Sequence, residues 1–439
     1  MLFLLNILTM DKILIITYYW PPSGGAGVQR WLKFTKYLPE HGVEPVVLTV
    51  DPLLASYAQR DESLEQEVPP GVAVFRTRTF EFYNLYKLLT GKKEIPYGGF
   101  ANAGETSFLQ RLARMIRGNF FLPDPRGGWN RYAVKKATEL IRQYGIRTVV
   151  TTSPPHSSQL IGLRLKKKLG IRWIADLRDP WTDIYYYCEL HHSSLARKVD
   201  RALELKVLRN ADLLITVSRD VKQLFARKLP AGASAKFSVI PNGYDETDFL
   251  QEVAVTGGKL VITYTGTISE AYDMTGFLDA LYLLGRERHK ELLLRFVGKV
   301  SPSVIEKIRQ KVPDIDLDLV GYVDHQASVR YLLRSSMQLL IIPGGENNKG
   351  IVTGKFFEYM ASGKPVLAIG PRGGDLEGLI RETGCGKLFE YDETDLMRAY
   401  VDDVLNGHEI QPVAEKVQAY SRRALAAKLV ASLVNKRGC

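Results

Sequence analysis

The sequence predicts an α/β chain built as two parallel-sheet domains, and three observations carry that expectation. Short apolar runs alternate with amphipathic helix patterns from Lys12 onward, as expected of strands buried on both faces by covering helices. The 439 residues exceed what one hydrophobic core organises and suit two domains of about 200 residues each. Between the two sets of runs lies Pro241 to Gly258, rich in turn-formers and acidic residues, which reads as the domain boundary.

In the first set, Ile13 to Tyr18, Pro45 to Val50, Thr148 to Thr152, Trp173 to Asp176, Leu213 to Val217 and Phe237 to Ile240 read as strands. The second set comprises Leu260 to Tyr264, Leu292 to Val297, Leu317 to Val320, Gln338 to Ile342 and Val366 to Ile369. The expected domains are residues 10–245, with an insertion at about 51–130, and residues 258–411. Residues 412–439 follow, with one long helix over about Pro412 to Val434. The stretch 51–130 is expected to be an insertion over the acceptor side of a cleft, since loops of that length inside a compact domain tend to be functional or mobile.

With 45% hydrophobic and 24% charged residues the composition is that of a folded globular protein, and no low-complexity tract or internal repeat stands out. Cys188, Cys385 and Cys439 form no Cys-x-x-Cys pair, so neither a disulfide framework nor a zinc site is indicated, and a reducing cytosol is the expected compartment. Met1 to Thr9 is apolar but lacks a basic leader, and Asp11-Lys12 ends the run well short of a membrane span, which makes Met10 a candidate start. The net charge of +11 is uneven: residues 101–230 hold 24 Lys or Arg against 11 Asp or Glu, a difference of +13. That excess makes an anionic membrane surface a candidate partner, whereas no motif supports nucleic acid. Within it, Phe108 to Leu122 interleaves Arg111, Arg114 and Arg117 with apolar side chains, the pattern of a helix lying in a lipid interface or of a core helix with a basic outer face.

Thr353 to Ile369 is the most informative stretch. Thr353 can cap a helix, Gly354 lets a ligand approach the backbone, and the free N–H groups of the first turn face an anion such as a pyrophosphate. Glu358, one turn further in, can accept from the cis-diol of a ribose attached to that pyrophosphate. Gly363 stops the helix and Pro365 precedes a buried strand. An ordinary amphipathic helix with one solvated Glu is the plainer reading of the same residues.

Three other motifs leave strands of the first set at the end where ligands of open α/β sheets bind. Pro21-Pro22-Ser23-Gly24-Gly25-Ala26-Gly27 allows close backbone approach but has Arg30 where a dinucleotide fingerprint needs a third glycine; Asp51 keeps that alternative open. A P-loop is excluded, because Gly350-Ile-Val-Thr-Gly354-Lys355-Phe356 has the wrong spacing. Thr151-Thr-Ser-Pro-Pro-His156 puts an imidazole at the cleft, with a capping or core histidine as the other reading. Asp176-Leu-Arg178-Asp179-Pro-Trp181-Thr-Asp183 gathers carboxylates, a guanidinium and an indole, which suits a polyol with Asp176 and Trp181 as acceptor-binding residues. An Arg178 ion pair that merely fixes the loop is the competing account.

Lys355-Phe-Phe-Glu358-Tyr-Met-Ala-Ser-Gly363-Lys-Pro365 resembles the second half of the nucleotide-binding motif of retaining glycosyltransferases of family four, of the bacterial polysaccharide or glycolipid type. Pro241-Asn242-Gly243-Tyr244-Asp245 is similar to that family's interdomain signature. The resemblance implies the GT-B fold, two Rossmann-like domains facing each other across a cleft, with a C-terminal helix crossing back to the first domain. It implies that Gly24 and Gly25 touch donor phosphates or acceptor, that His156 hydrogen-bonds the transferring sugar or phosphate, and that the base lies near Tyr322 and Val323. The resemblance further implies that Thr353, Gly354, Lys355 and Glu358 hold the nucleotide, alongside Gly266 and Thr267, with Arg178 and Asp179 joining His156 as catalytic candidates. The sequence departs from the family at Gly350, where the first Glu of a Glu-x7-Glu pair belongs, with Glu346 as the candidate substitute. It departs again at Gly266-Thr-Ile-Ser-Glu-Ala271, which lacks the usual Arg and Lys, so that Lys355, Lys349, Lys299 or Arg178 must compensate the diphosphate charge.

The implied activity is retaining transfer of a sugar from a UDP- or GDP-linked donor to a glycan or lipid-linked acceptor in cell-surface polysaccharide synthesis. No metal and no further cofactor are expected. The expected location is cytoplasmic, with the inner membrane face as a candidate docking surface. A nucleotide-sugar epimerase or hydrolase, or an inactive nucleotide-sugar-binding protein, remains the alternative.

Overall fold

The computed structural model describes residues 10–57, 59–81, 115, 118–251 and 258–434. The chain forms two compact units, one running to Ile240 and resuming at Leu425, the other running from Pro241 to Ala424.

The first unit is built on β1 (Asp11–Ile16), β2 (Val43–Val50), β3 (Ala73–Thr77), β4 (Thr148–Ser153), β5 (Arg172–Leu177), β6 (Leu213–Thr216) and β7 (Phe237–Val239). They pair in parallel in the order β3-β2-β1-β4-β5-β6-β7, with Leu14 opposite both Val46 and Val149. Helices Asn130–Tyr144, Ser157–Leu169 and Ser194–Asn210 cover one face, where Leu140, Ile161, Leu165 and Val207 pack with Leu14, Val149 and Trp173. Helices Ala26–Tyr37 and Arg422–Val434 cover the other. Leu425, Leu429 and Leu433, at helical spacing on one stripe, join Ile13, Ile15 and Trp31 there. Strands between two helical layers must be apolar on both sides, which is why the central runs were legible without alternation.

The second unit contains β8 (Leu260–Thr265), β9 (Leu292–Val297), β10 (Asp316–Gly321), β11 (Met337–Ile341), β12 (Val366–Ile369) and β13 (Gly386–Phe389). These are parallel in the order β10-β9-β8-β11-β12-β13, so the order reverses between β8 and β11, as it does between β1 and β4 in the first sheet. Loops leaving the C-terminal ends of strands at such a reversal diverge and open a crevice.

Two strands were not anticipated, and both are edge strands. Among the described residues β3 pairs only with β2 and β13 only with β12, and β3 is exposed or half-buried throughout, so neither needs a long apolar run. Because β3 lies within 51–130, that stretch is in part the sheet itself: Asp51 N donates to Thr77 O at 2.8 Å, and Leu64 is buried in the core with Trp31. Residues 82–114, 116 and 117, and with them Arg111, Arg114 and Arg117, lie outside the described residues. The single helix expected over 412–434 is two, Ala414–Gln418 and Arg422–Val434, separated where Arg422 N donates to Tyr244 O at 2.7 Å and Tyr244 N to Tyr420 O at 3.2 Å. Among the described residues no helix is long and apolar enough to cross a membrane.

Candidate functional site

In the second unit the helix Gly354–Ala361 joins β11 to β12 and begins at the reversal of strand order. Thr353 precedes it in extended conformation, φ −70° and ψ 154°, without a side-chain cap bond. Its hydroxyl is buried and without a hydrogen-bond partner among the described residues. Phe356 N donates to Thr353 O at 3.2 Å, whereas the N–H groups of Gly354 and Lys355 have no acceptor among the described residues, so this end presents donors and positive potential. Burial of Phe356, Phe357 and Met360 seats the helix, and Thr265 N donates to Tyr359 Oη at 2.7 Å, tying it to the end of β8.

Lys355 crosses the reversal. Its Nζ donates to Tyr264 Oη at 2.7 Å and lies 4.3 Å from the centre of that ring, while Tyr264 Oη donates to Thr267 O at 2.9 Å. A Cβ at Gly266, where φ is +101°, would stand 2.9 Å from Lys355 Cε. The ammonium thus sits at the loop whose own sequence lacks Arg and Lys. Burial pushes its pKa down to about 7, with Glu358 opposing the shift. Gly298 is pressed against the same loop: a Cβ there would meet Gly266 O at 2.2 Å. Lys299 beyond it is exposed, and Lys349 is exposed beside Gly373, so neither is held as Lys355 is. Gly350 is buried and Glu346 exposed. Tyr322, 49% exposed, and half-buried Val323 follow Gly321 at the end of β10.

Glu358 is held by a residue the sequence reading missed. Glu358 Oε1 lies 3.1 Å from His325 Nε2, and His325 Nδ1 lies 3.9 Å from Asp248 Oδ2. Asp324 caps the helix His325–Leu333 by accepting from Ala327 N at 2.7 Å, which sets His325 at its first position. That capping aspartate directly after the Tyr322-Val323 loop was the available signal.

In the first unit, Gly25 at φ +87° begins the helix Ala26–Tyr37, and Gly24 N donates to Gln59 O at 3.0 Å. His156 precedes the helix Ser157–Leu169, whose N-terminus is capped by Asp124 accepting from Ser157 N at 2.7 Å and Ser157 Oγ at 2.8 Å. The imidazole stacks on Trp181, with centroids 4.6 Å apart and planes 17° from parallel. Its Nδ1 is buried without a hydrogen-bond partner among the described residues. Burial, then the positive charges of Arg178 and Lys228, push its pKa down to about 3, so the ring is neutral at ordinary pH.

Three expectations for the acidic motif are corrected here. Asp176 is 0% exposed and accepts from Arg30 Nη2 at 3.0 Å, Trp31 Nε1 at 2.8 Å and Thr152 Oγ1 at 2.8 Å, so it is a buried, fully engaged charge and no acceptor ligand. Trp181 is 2% exposed; its indole N–H donates to Asp200 Oδ1 at 2.8 Å and its face lies on His156, leaving no platform for a sugar. Arg178 spends its donors on backbone carbonyls, of Ser153 at 3.0 Å, Gly27 at 2.8 Å and Pro154 at 3.2 Å, and so clamps the glycine loop to the loop after β4. Asp179 differs: half-buried, it makes no hydrogen bond with a described residue, and burial raises its pKa against the pull of Arg178.

Residues 98–248, which include His156 and the acidic motif, match the family model described as Glycosyltransferase Family 4. A curated protein of Pseudomonas aeruginosa described as "Probable glycosyltransferase WbjE" is 22% identical over 234 residues, 51% of this chain and 57% of that protein, so the chain spans little more than half of that relative. Among solved structures, Anabaena HepE in complex with UDP and glucose superposes at TM-score 0.59 and 16% identity over 97% of this chain and 100% of that one. Sucrose-phosphate synthase from Thermosynechococcus elongatus does so at 0.58 and 16% over 97% and 98%. The lipopolysaccharide outer core galactosyltransferase WaaB, in its apo form, does so at 0.56 and 13% over 97% and 99%. At such identities the likeness is one of fold. The chain has the GT-B fold, and its residues 98–248 are similar to the glycosyltransferase family 4 domain.

Proposed function

We propose that the protein is a retaining glycosyltransferase that moves a sugar from a UDP- or GDP-linked donor, bound by the second unit, to a glycan or lipid-linked acceptor of cell-surface polysaccharide synthesis, bound by the first. The observation that carries this is Lys355: a cation depressed by burial, set beside the open N-terminus of a helix and against a glycine loop, gains most from a dianion such as a diphosphate. That a fold neighbour is described in complex with UDP and glucose supports the same ligand class.

In this reading the anomeric C–O bond to the diphosphate breaks while the acceptor oxygen bonds to the same carbon from the same face. The leaving phosphate oxygen takes the acceptor's proton, and no step is assigned to a metal ion. Lys355 and the N–H groups of Gly354 and Lys355 stabilise the charge that develops on the diphosphate. Neutral His156 hydrogen-bonds the transferring sugar, Asp179 accepts from an acceptor hydroxyl, and Gly24 and Gly25 admit the ligand to the backbone. Glu358 presents its second carboxylate oxygen to the ribose, the first being engaged by His325, and Tyr322 and Val323 border the base. Calorimetry against UDP, GDP, ADP and CMP should find micromolar binding of UDP or GDP. Release of the nucleoside diphosphate from the sugar donor should then require acceptor. Diphosphate release without acceptor, or failure of all four nucleotides to bind, overturns the proposal in favour of an epimerase, a hydrolase or another ligand.

A lipid-linked acceptor is favoured by the first unit's outer face. The adjacent helices Asn130–Tyr144, Ser157–Leu169 and Ser194–Asn210 carry four, four and five Lys or Arg. Glu139 is their one exposed acid, since Asp200 and Glu204 turn inward. Leu195, 71% exposed, stands among them. Each such cation contributes about 1 kcal/mol near an anionic bilayer, screened by salt. The protein should pellet with phosphatidylglycerol vesicles at low salt, and Lys198→Glu, Arg201→Glu and Lys206→Glu together should release it; pelleting unchanged by the triple substitution removes this face from the proposal.

A further inference from the structure

Trp181 has φ +36°, a left-handed conformation that bulky side chains rarely adopt and that persists only where its surroundings over-determine it. Those surroundings are unusually charged. Asp200 accepts from Trp181 Nε1 and from Tyr187 Oη, both at 2.8 Å. Glu204, one turn along the same helix, accepts from Thr182 N at 3.3 Å, Thr182 Oγ1 at 2.8 Å and Lys228 Nζ at 2.7 Å, and Lys228 also pairs with Asp183. Two buried carboxylates and a lysine therefore serve one short turn, Trp181–Asp183. Ordinary loops are held without burying charge, and burying it is costly unless geometry requires it. What the turn delivers is an indole laid flat against His156.

We propose that Trp181 and Asp200 are positioning residues for the transfer reaction, Asp200 setting the indole and the indole setting the His156 ring. This rests on the role given to His156 above. The stack fixes the imidazole's rotation, walls off one face and keeps water from Nδ1, which leaves Nε2 as the nitrogen that meets the substrate. Arg178 and Lys228 face the ring as cations. Among carboxylates, Asp124 caps the helix that follows the ring, Asp200 stands behind the indole, Asp179 acts on Arg178, and Asp183 and Glu204 pair with Lys228. Removing the indole opens this dry, cation-flanked pocket to water, so the ring's titration should return toward the ordinary value near 6.5.

Trp181→Ala, Trp181→Phe, Asp200→Asn and His156→Ala should be compared by NMR titration of the His156 ring, by donor binding and by turnover. In Trp181→Ala the His156 pKa should rise by more than one unit and kcat should fall on the order of 100-fold with the donor KM unchanged, as expected of a misplaced reacting group. Trp181→Phe keeps an aromatic face but loses the anchor to Asp200, and Asp200→Asn keeps an acceptor; both should fall between wild type and Trp181→Ala. Should Trp181→Ala fail to fold, the Phe and Asn variants decide by the same two readouts. An unmoved His156 titration with wild-type kcat in folded variants overturns the positioning roles. Wild-type turnover in His156→Ala instead overturns the role of His156 itself, which separates the two failures.

Discussion

At the strand reversal of the second sheet Lys355 reaches the loop after β8 with a phenol as its one hydrogen-bond partner among the described residues, whereas beside the reversal of the first sheet Arg30 and Asp176 meet as a buried, bidentate pair. Both places gather charge at the ends of parallel strands, where ligands of this fold class bind. The difference lies in what satisfies the charge. Asp176 has a guanidinium, an indole and a hydroxyl, so its energy is spent on the fold. Lys355 has no carboxylate in hydrogen-bond contact among the described residues, and burial lowers its pKa with Glu358 opposing the shift, so a further anion beside it would be favoured. Charged motifs at strand ends are therefore divided between structure and ligand by their partners, and density of charge alone does not tell the two apart.

The largest test of this contrast is stability. Asp176→Ala removes the buried carboxylate that Arg30, Trp31 and Thr152 share and should cost about 3 to 5 kcal/mol in denaturant unfolding, as broken buried pairs do. Lys355→Met should lose no stability, because it removes a desolvated charge; comparable losses in both variants would erase the distinction. Next in size, Lys355→Met and Glu358→Gln should each weaken calorimetric UDP or GDP binding by about 1.5 to 3 kcal/mol, the worth of hydrogen bonds to charged groups.

The pH dependence sharpens the same point. Lys355 titrates near 7 in the free protein, against an ordinary 10.5, and a bound diphosphate would raise it again. Between pH 7 and 9 donor binding should take up a proton, visible as a dependence of calorimetric heat on buffer ionisation, and affinity should fall up to about tenfold per pH unit. The sign for folding is opposite: the unfolded chain binds more protons above pH 7, so the lysine's penalty on the ligand-free fold is relieved as pH rises. His156, neutral above about 3, should add no limb near 6.5 to the turnover profile. Smallest is His325→Gln, which keeps one donor toward Glu358 and should shift UDP affinity by less than about 1 kcal/mol, while His325→Ala should also blunt the preference for ribose over deoxyribose nucleotide.

The sequence by itself determined the central strands of both sheets and the helix Gly354–Ala361. Apolar runs between covering helices, a threonine and glycine at the helix start and Gly363-Lys-Pro365 at its end are local signals, complete within a few residues. Only the tertiary structure decided the edge strands β3 and β13, whose half-open faces carry no such run. It alone also separated Asp176 from Asp179, turned Trp181 inward onto Asp200, and brought His325 to Glu358. Each of those outcomes depends on a partner far along the chain, as Arg30 is 146 residues from Asp176 and His325 is 33 from Glu358. A residue's chemistry is written in its own position, but whether that chemistry is spent inside the protein depends on what folding places against it.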